Sequence, residues 1–274
     1  MKIEKIGGVL LKVCLVIGGL IMFLPFFWLM LSTFKTSREI TSVPTTFFPR
    51  GWTIENYVDI FKSFNIARYF LNSVFLATVK TAIGIYTSLL CGYVLAKFEF
   101  KGKKLIFSMI LFTMMVPYLI MVIPLYQMIN TVNLIDSYWA IILPTLYSSF
   151  GIFMMKQYMA SGIPNELIDA ARIDGAREFT IFHKIAVPLS VNMISALSIF
   201  LFLWNWEDFL WPYLVLNTKD KMPLAVALNM FSGQNTVNYG GLFAAAAVTI
   251  LPVLIIYLFF QKRFVEGVSM SGIK

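Results

Sequence analysis

Of the 274 residues, 59% are apolar and only 13% carry charge, the mean hydropathy is +0.78, and the net charge is +8. That leaves too little polar surface to wrap a water-soluble globule, so the composition excludes an ordinary soluble domain and places the chain in a bilayer. The basic excess flanks apolar runs instead of forming a basic stripe, which argues for membrane topology and against nucleic-acid binding. Cys14 and Cys91 both lie in apolar runs and supply neither a disulfide framework nor a metal site.

Backbone in lipid must be hydrogen-bonded internally, and the apolar runs lack the alternation of barrel strands, so helices are expected. About 20 apolar residues cross a hydrocarbon core of about 30 Å. Six stretches meet that length, near 9–31, 69–96, 104–129, 138–159, 187–215 and 242–260. They predict an all-α, polytopic fold with six transmembrane helices in a single domain over 1–274. Basic residues precede the first run as in a signal peptide, but its length, Pro25 and the lack of a small-residue cleavage site predict a retained span. Lys and Arg then set the orientation. With the N-terminus inside, the basic residues within 2–12, 97–104, 156–184 and 262–274 fall on the cytoplasmic side and outnumber those left outside. Both termini of this multi-pass cell-membrane protein are therefore expected in the cytoplasm.

The outer segment 34–68 carries Pro44, Pro49 and Gly51, turn chemistry that predicts order against the outer surface or a partner. In the second span, Lys80 lies roughly 15 Å along the helix. A charge at that depth is costly, which makes it a functional candidate or one half of a structural pair with a partner subunit. Met114, Met115 and Met121 give the third span a soft, adaptable face, with Tyr118 among them as a pathway candidate.

The stretch 164–188 reads PNELIDAARIDGAREFTIFHKIAVP and is the longest polar segment expected on the cytoplasmic face. Pro164 suits a first helical position, Leu167, Ala170, Ala171 and Asp174 are spaced to share one face, and Gly175 permits a sharp exit. Asp169 with Arg172, and Asp174 with Arg177, are three apart and predict surface pairs. A second short helix is expected to about Ile185, with Pro188 disfavouring helix at Val187 and restarting it into the next span. An interfacial amphipathic helix would carry large apolar residues opposite a Lys-rich face. This segment instead mixes acids and bases with alanine, which suits docking on a cytoplasmic partner. His183, the only histidine, sits in the same loop, so no proton relay or metal site within the membrane is expected.

Along the fifth span Asn192, Ser195, Ser198 and Asn205 recur at near-helical spacing. That stripe lines a passage or supplies hydrogen bonds between helices. Trp204, Trp206, Trp211 and Tyr213 read as an interfacial belt or as platforms for sugar rings, with Asn205, Glu207 and Asp208 as acceptors for hydroxyls. The outer segment 217–240 carries Gly233, Gln234, Asn235 and Asn238, a polar tip suited to recognition.

Asp169, Ala170 and Ala171, followed at fixed distances by Gly175, Ile185, Val187 and Pro188, resemble the EAA loop of binding-protein-dependent ABC importer permeases. Asp169 stands where that pattern prefers Glu, and Val187 where Leu is usual. Further segments, PFFWLMLSTFK from Pro25, ENYVDIF from Glu55, ARYFLNS from Ala67, IPLYQMI from Ile123, WNWEDFLWP from Trp204 and GVSMSGIK from Gly267, are similar to carbohydrate-uptake permeases of the maltose-type second-subunit kind. The resemblance implies a type I importer permease that pairs with a homologous permease. It also implies an external binding protein that delivers a sugar or oligosaccharide, and an ABC ATPase dimer that binds ATP and Mg. Glu166, Asp169, Ala170, Ala171, Asp174 and Gly175 would then be the ATPase-coupling residues. Ser232, Gly233, Gln234, Asn235 and Asn238 would face the binding protein. The chain has no G-x-x-x-x-G-K-[ST] phosphate loop, so it is expected to bind no cofactor of its own and to be no enzyme, since no catalytic constellation is present. The rival from another class is an ion-coupled secondary transporter, with Lys80 and Glu207 as its coupling charges.

Overall fold

The computed structural model describes residues 2–62, 64–229 and 238–270, with side chains for 11–62, 64–229 and 238–258. Among these every regular element is helical. In chain order they are α1 (Lys2–Ser32), α2 (Ser37–Ile40), α3 (Glu55–Lys62), α4 (Ile66–Lys97), α5 (Lys103–Met115), α6 (Tyr118–Thr131), α7 (Tyr138–Ile142), α8 (Ser149–Gly162), α9 (Asn165–Ile173), α10 (Glu178–Ile181), α11 (Val187–Leu189), α12 (Val191–Trp206), α13 (Leu210–Val215), α14 (Leu224–Leu228) and α15 (Tyr239–Met270). Four stretches are long and apolar enough to cross a membrane, and two bent helix pairs bring the total to as many as six.

The chain forms two compact units, 1–67 with 227–252, and 68–226 with 253–274. In the first, α1 runs apolar and exposed, and the segment after it is tied down by side-chain hydrogen bonds. The buried Asn56 of α3 donates to the carbonyls of Thr33 at 2.7 Å and Lys35 at 2.8 Å. Lys35 is itself buried, with its ammonium over the Trp28 ring at 5.5 Å. Burial pushes its pKa down, opposed by the charge of Glu39. Gly240 approaches Asn56 so closely that a Cβ there would lie 2.1 Å from Asn56 Oδ1.

The second unit is built around α4 and has two apolar clusters at different heights along it. Leu76 packs with Ala140, Ile141, Trp211 and Val215. Further along, Leu89 and Tyr93 pack with Met155, Met159, Ile168, Ile181 and Phe182. Glycine lets α8 lie against α4, since a Cβ on Gly92 would sit 2.6 Å from Met155 Cβ.

Two expected spans are sharply bent. The run 104–129 is α5 and α6, bent by 106°. Val116, just before Pro117, sits at φ −78°, ψ 121°, because the proline ring excludes the helical conformation from the preceding residue. The fifth run is also interrupted, but not where the proline suggests. Val187 stays helical at φ −63°, ψ −51°. The chain winds through a π-helical turn at Phe182–Ala186 and through α11 as far as Ser190, where it bends by 78° into α12. The wide turn before Pro188 accommodates its missing N–H without ending the helix. The break falls instead at Ser190, whose hydroxyl donates to Ala186 O at 2.7 Å.

Candidate functional site

Three features carry the candidate residues. The first is the loop after α8. Helix α9 ends in a Schellman arrangement, with Ala176 N donating to Ala171 O at 3.0 Å and Gly175 N to Arg172 O at 3.0 Å. Gly175 takes φ +79°, and nothing lies within 4 Å of where its Cβ would be. The glycine is therefore required by backbone conformation and not by crowding. Arg172 bonds Asp169 at 3.0 Å and Glu178 at 2.6 Å. The Tyr93 hydroxyl also donates to Glu178 at 3.1 Å, and Lys97 holds Asn165 at 2.8 Å, so the loop is fastened to the end of α4. The hydrogen bond to Glu178 leads the contributions that raise the Arg172 pKa above its ordinary value.

The pairing of Asp169 with Arg172 is present as expected, but among the described residues no ion pair joins Asp174 and Arg177. Arg172 spans both short helices through Glu178 instead. The expected shared face also divides. Ile168 is buried and Ala171 packs against the apolar cluster, while Glu166, Leu167, Asp169, Ala170, Asp174 and Gly175 are exposed. Of the two alanines, then, only Ala170 is presented outward. Ala171 is small because α9 lies close on the bundle. Ile173, 86% exposed, and Phe179, 65% exposed, extend the outward surface with large apolar side chains.

The second feature is a cavity of about 610 Å³ between the two apolar clusters of the second unit. Lys80, Tyr118 and Asn205 line it, together with Gly84, Thr145, Tyr147, Ser148, Trp204 and Asp208. Lys80 Nζ lies 2.6 Å from Asp208 Oδ2. The partner of this deep charge is therefore in the same chain, not in another subunit. Asn205 donates to Thr81 Oγ1 at 3.1 Å. Asn192 and Glu207 are exposed and do not line the cavity, and Ser195 lines a separate, smaller one with Thr81 and Ser198. The polar stripe of the fifth span is thus divided among different surfaces. All four of its residues lie on α12, where steps of three residues fall short of a 3.6-residue turn and carry the positions progressively around the helix. Of the aromatic group, Trp211 and Trp206 are buried, and Trp211 donates its indole N–H to Ala140 O at 2.9 Å. Trp204 is half exposed. Tyr147 and Ser148 escape the sequence reading because they sit where the fourth apolar run is interrupted between α7 and α8. Pro144 and the Ser148 cap on Gly151 N, at 3.2 Å, are the local signals of that break.

The third feature is the far end of the same unit. Asp136, at φ +58°, accepts from the backbone of Asn217 at 3.0 Å and Thr218 at 2.9 Å, the Thr218 hydroxyl at 2.6 Å and Lys221 at 3.0 Å. The Thr218 hydroxyl, then its backbone N–H and Lys221, hold the Asp136 carboxyl well below the usual carboxylate range. Arg68 and Asn72 bind the carbonyl of Asp220 at 3.0 and 2.8 Å. The root of the 217–240 segment is therefore clamped. Ser232, Gly233, Gln234 and Asn235 lie outside the described residues. Asn238 caps α15 by accepting from Gly241 N at 3.0 Å, which gives it a structural task besides any recognition. No group of three or more His, Cys, Asp or Glu able to hold a metal occurs among the described residues.

Comparison with known proteins adds the following. Residues 84–270 match the model of a family described as binding-protein-dependent transport system inner membrane component. The chain is 37% identical over 259 residues to the arabinooligosaccharides transport system permease protein AraQ of Bacillus subtilis (strain 168), covering 93% of this chain and 92% of that one. It is 32% identical over 261 residues to the diacetylchitobiose uptake system permease protein NgcG of Streptomyces coelicolor, covering 94% and 86%. In fold it is similar to a chain of a bacterial ABC transporter involved in the import of the acidic polysaccharide alginate, with a TM-score of 0.82 at 23% identity over 96% of this chain and 98% of that one.

Proposed function

The chain belongs to the family of binding-protein-dependent transport system inner membrane components, and from that premise we propose that it is the sugar-translocating permease subunit of an ATP-driven importer. The observation that carries the reading is the 163–188 loop. It presents Glu166, Asp169, Ala170, Asp174 and Gly175 outward along α9 and the turn that ends it, while Ile168, Ala171, Ile181 and Phe182 root it in the bundle. A push on the exposed face would pass to α4 and α8 through Arg172, Glu178, Tyr93 and the buried isoleucines. The pushing partner is an ABC ATPase dimer that binds ATP and Mg. A second, homologous permease completes the pathway, an extracytoplasmic binding protein meets the outer segment 217–240, and both termini lie in the cytoplasm. The saccharide class is supported by the relatives named above, which are permeases for arabinooligosaccharides and diacetylchitobiose. Family membership sets aside the ion-coupled alternative. Its proposed charges also stand apart, since Lys80 is paired with Asp208 and Glu207 does not line the cavity.

Uptake of labelled oligosaccharide into proteoliposomes tests the proposal. It should require ATP, the ATPase, the second permease and the binding protein. Uptake by this chain alone, driven by an ion gradient, would overturn it. In the same preparation Gly175→Trp should insert normally and lose co-purification with the ATPase, whereas normal association would count against the loop as the docking element.

A further inference from the structure

The cavity around Lys80 has a charge arrangement that narrows what it could hold. At about 610 Å³ it falls within the roughly 300–1,000 Å³ of small-molecule sites. Among the described residues lining it, Lys80 and Asp208 are the only charged side chains. Their closest atoms are 2.6 Å apart, and their side chains are 5% and 23% exposed. The pair therefore sums to zero inside a low-dielectric span. Lys80 engages one carboxylate oxygen, and a carboxylate accepts further bonds on its remaining lone pairs, while an ammonium has three donors. Side by side they offer an acceptor and a donor to adjacent hydroxyls without offering a net charge to an ion.

The other lining groups match a sugar ring. Trp204 is half exposed and braced by Phe150 and Phe200, with ring centroids 5.2 and 6.2 Å away. A braced indole presents a rigid apolar face for the C–H side of a pyranose or furanose, with little conformational freedom left to lose. Asn205 is fixed by its bond to Thr81, and Tyr118 stands half exposed beside it. An acidic sugar would find no free cation here. Its carboxylate would shed its hydration in a low-dielectric span with no net positive charge to compensate, because Lys80 is already paired with Asp208.

Resting on the permease reading above, we infer that this chain itself carries a saccharide subsite, in which Trp204 stacks a neutral sugar ring and the Lys80–Asp208 pair binds its hydroxyls, discriminating against uronates. The test is equilibrium dialysis on the assembled importer in lipid nanodiscs, with no binding protein added so that only membrane sites are read. The probes are radiolabelled arabinotriose and trigalacturonate. The wild type should retain arabinotriose and not trigalacturonate. Trp204→Ala should weaken arabinotriose binding about tenfold, the upper end of an aromatic contact, and Trp204→Phe should keep most of it. Asp208→Asn leaves the Lys80 charge uncompensated and should admit trigalacturonate. Should that variant fail to fold, Lys80→Met with Asp208→Leu replaces the pair by apolar volume and should lose arabinotriose while the complex stays intact. Equal retention of both sugars by the wild type, or arabinotriose binding unmoved by Trp204→Ala and by the double variant, overturns the subsite. An importer that performs ATP-driven uptake with such an indifferent cavity defeats this inference alone, whereas one that performs no such uptake defeats the permease reading.

Discussion

Asp136 gathers four donors from a segment about eighty positions away and does so from a left-handed backbone conformation that Asp tolerates better than most residues. Its folded pKa is depressed, so its contribution to stability is fully present above the unfolded value of about 4 and is lost as pH falls through the folded value. Asp136→Asn should therefore lower the unfolding midpoint at pH 7, and the difference from wild type should shrink in acid, below pH of about 4. Thermal unfolding of the detergent-solubilised protein at a series of pH values measures this, and a difference independent of pH would refute the clamp. Several single residues were legible from sequence at this scale. Gly175 was expected as a sharp exit and has φ +79°, and Lys80 was expected to matter for its depth. Its partner was not legible, because Asp208 lies 128 positions away, beyond the reach of spacing arguments.

Among the elements, the apolar runs predicted where helices occur more reliably than where they bend. Hydropathy counts lipid-compatible residues and is blind to direction, so α5 and α6 read as one span although Pro117 turns the chain by 106°. By sequence Pro188 marks a local boundary, but its cost is met by a widened turn and the bend falls at Ser190. Likewise, spacing placed Ala170 and Ala171 on one face, and only the packing of Ile168 shows that Ala171 turns inward. Close helix packing also separates glycines that look alike in sequence. On Gly92 a Cβ would meet Met155 Cβ at 2.6 Å and the Lys156 backbone nitrogen at 2.9 Å, whereas on Gly19 it would meet nothing within 4 Å. Gly92→Ala should push α8 off α4 and cost about 1–3 kcal/mol. Gly19→Ala should not destabilise α1, since alanine is the better helix former. Paired unfolding measurements on the two variants decide it, and equal midpoints would mean that the contact relaxes freely.

Over the whole molecule, composition alone fixed the class. With 13% charged residues, the chain has no other way to satisfy its surface than lipid and partner proteins. The outward-facing loop, the clamped segment at 217–222 and the cavity are all parts of the second unit, on elements braced by buried side chains. The proposed direction of the chain in the membrane rests on its basic residues, and single cysteines placed at Lys101 and Arg50 should then be labelled by impermeant reagents from opposite sides of a sealed vesicle. Labelling of both from one side would contradict the proposed orientation.

The Lys80–Asp208 pair also has an electrical consequence. Any charge displaced through the membrane field does work of about 2.3 kcal/mol per elementary charge per 100 mV. Two opposite charges held 2.6 Å apart and carried on the same body move together, so their gating charges cancel. In the proposed importer, alternating access to the cavity should then be indifferent to membrane potential. Uptake of a neutral sugar into vesicles should stay flat across imposed potassium diffusion potentials, and Asp208→Asn, by unmasking one positive charge, should make the same rate voltage-dependent.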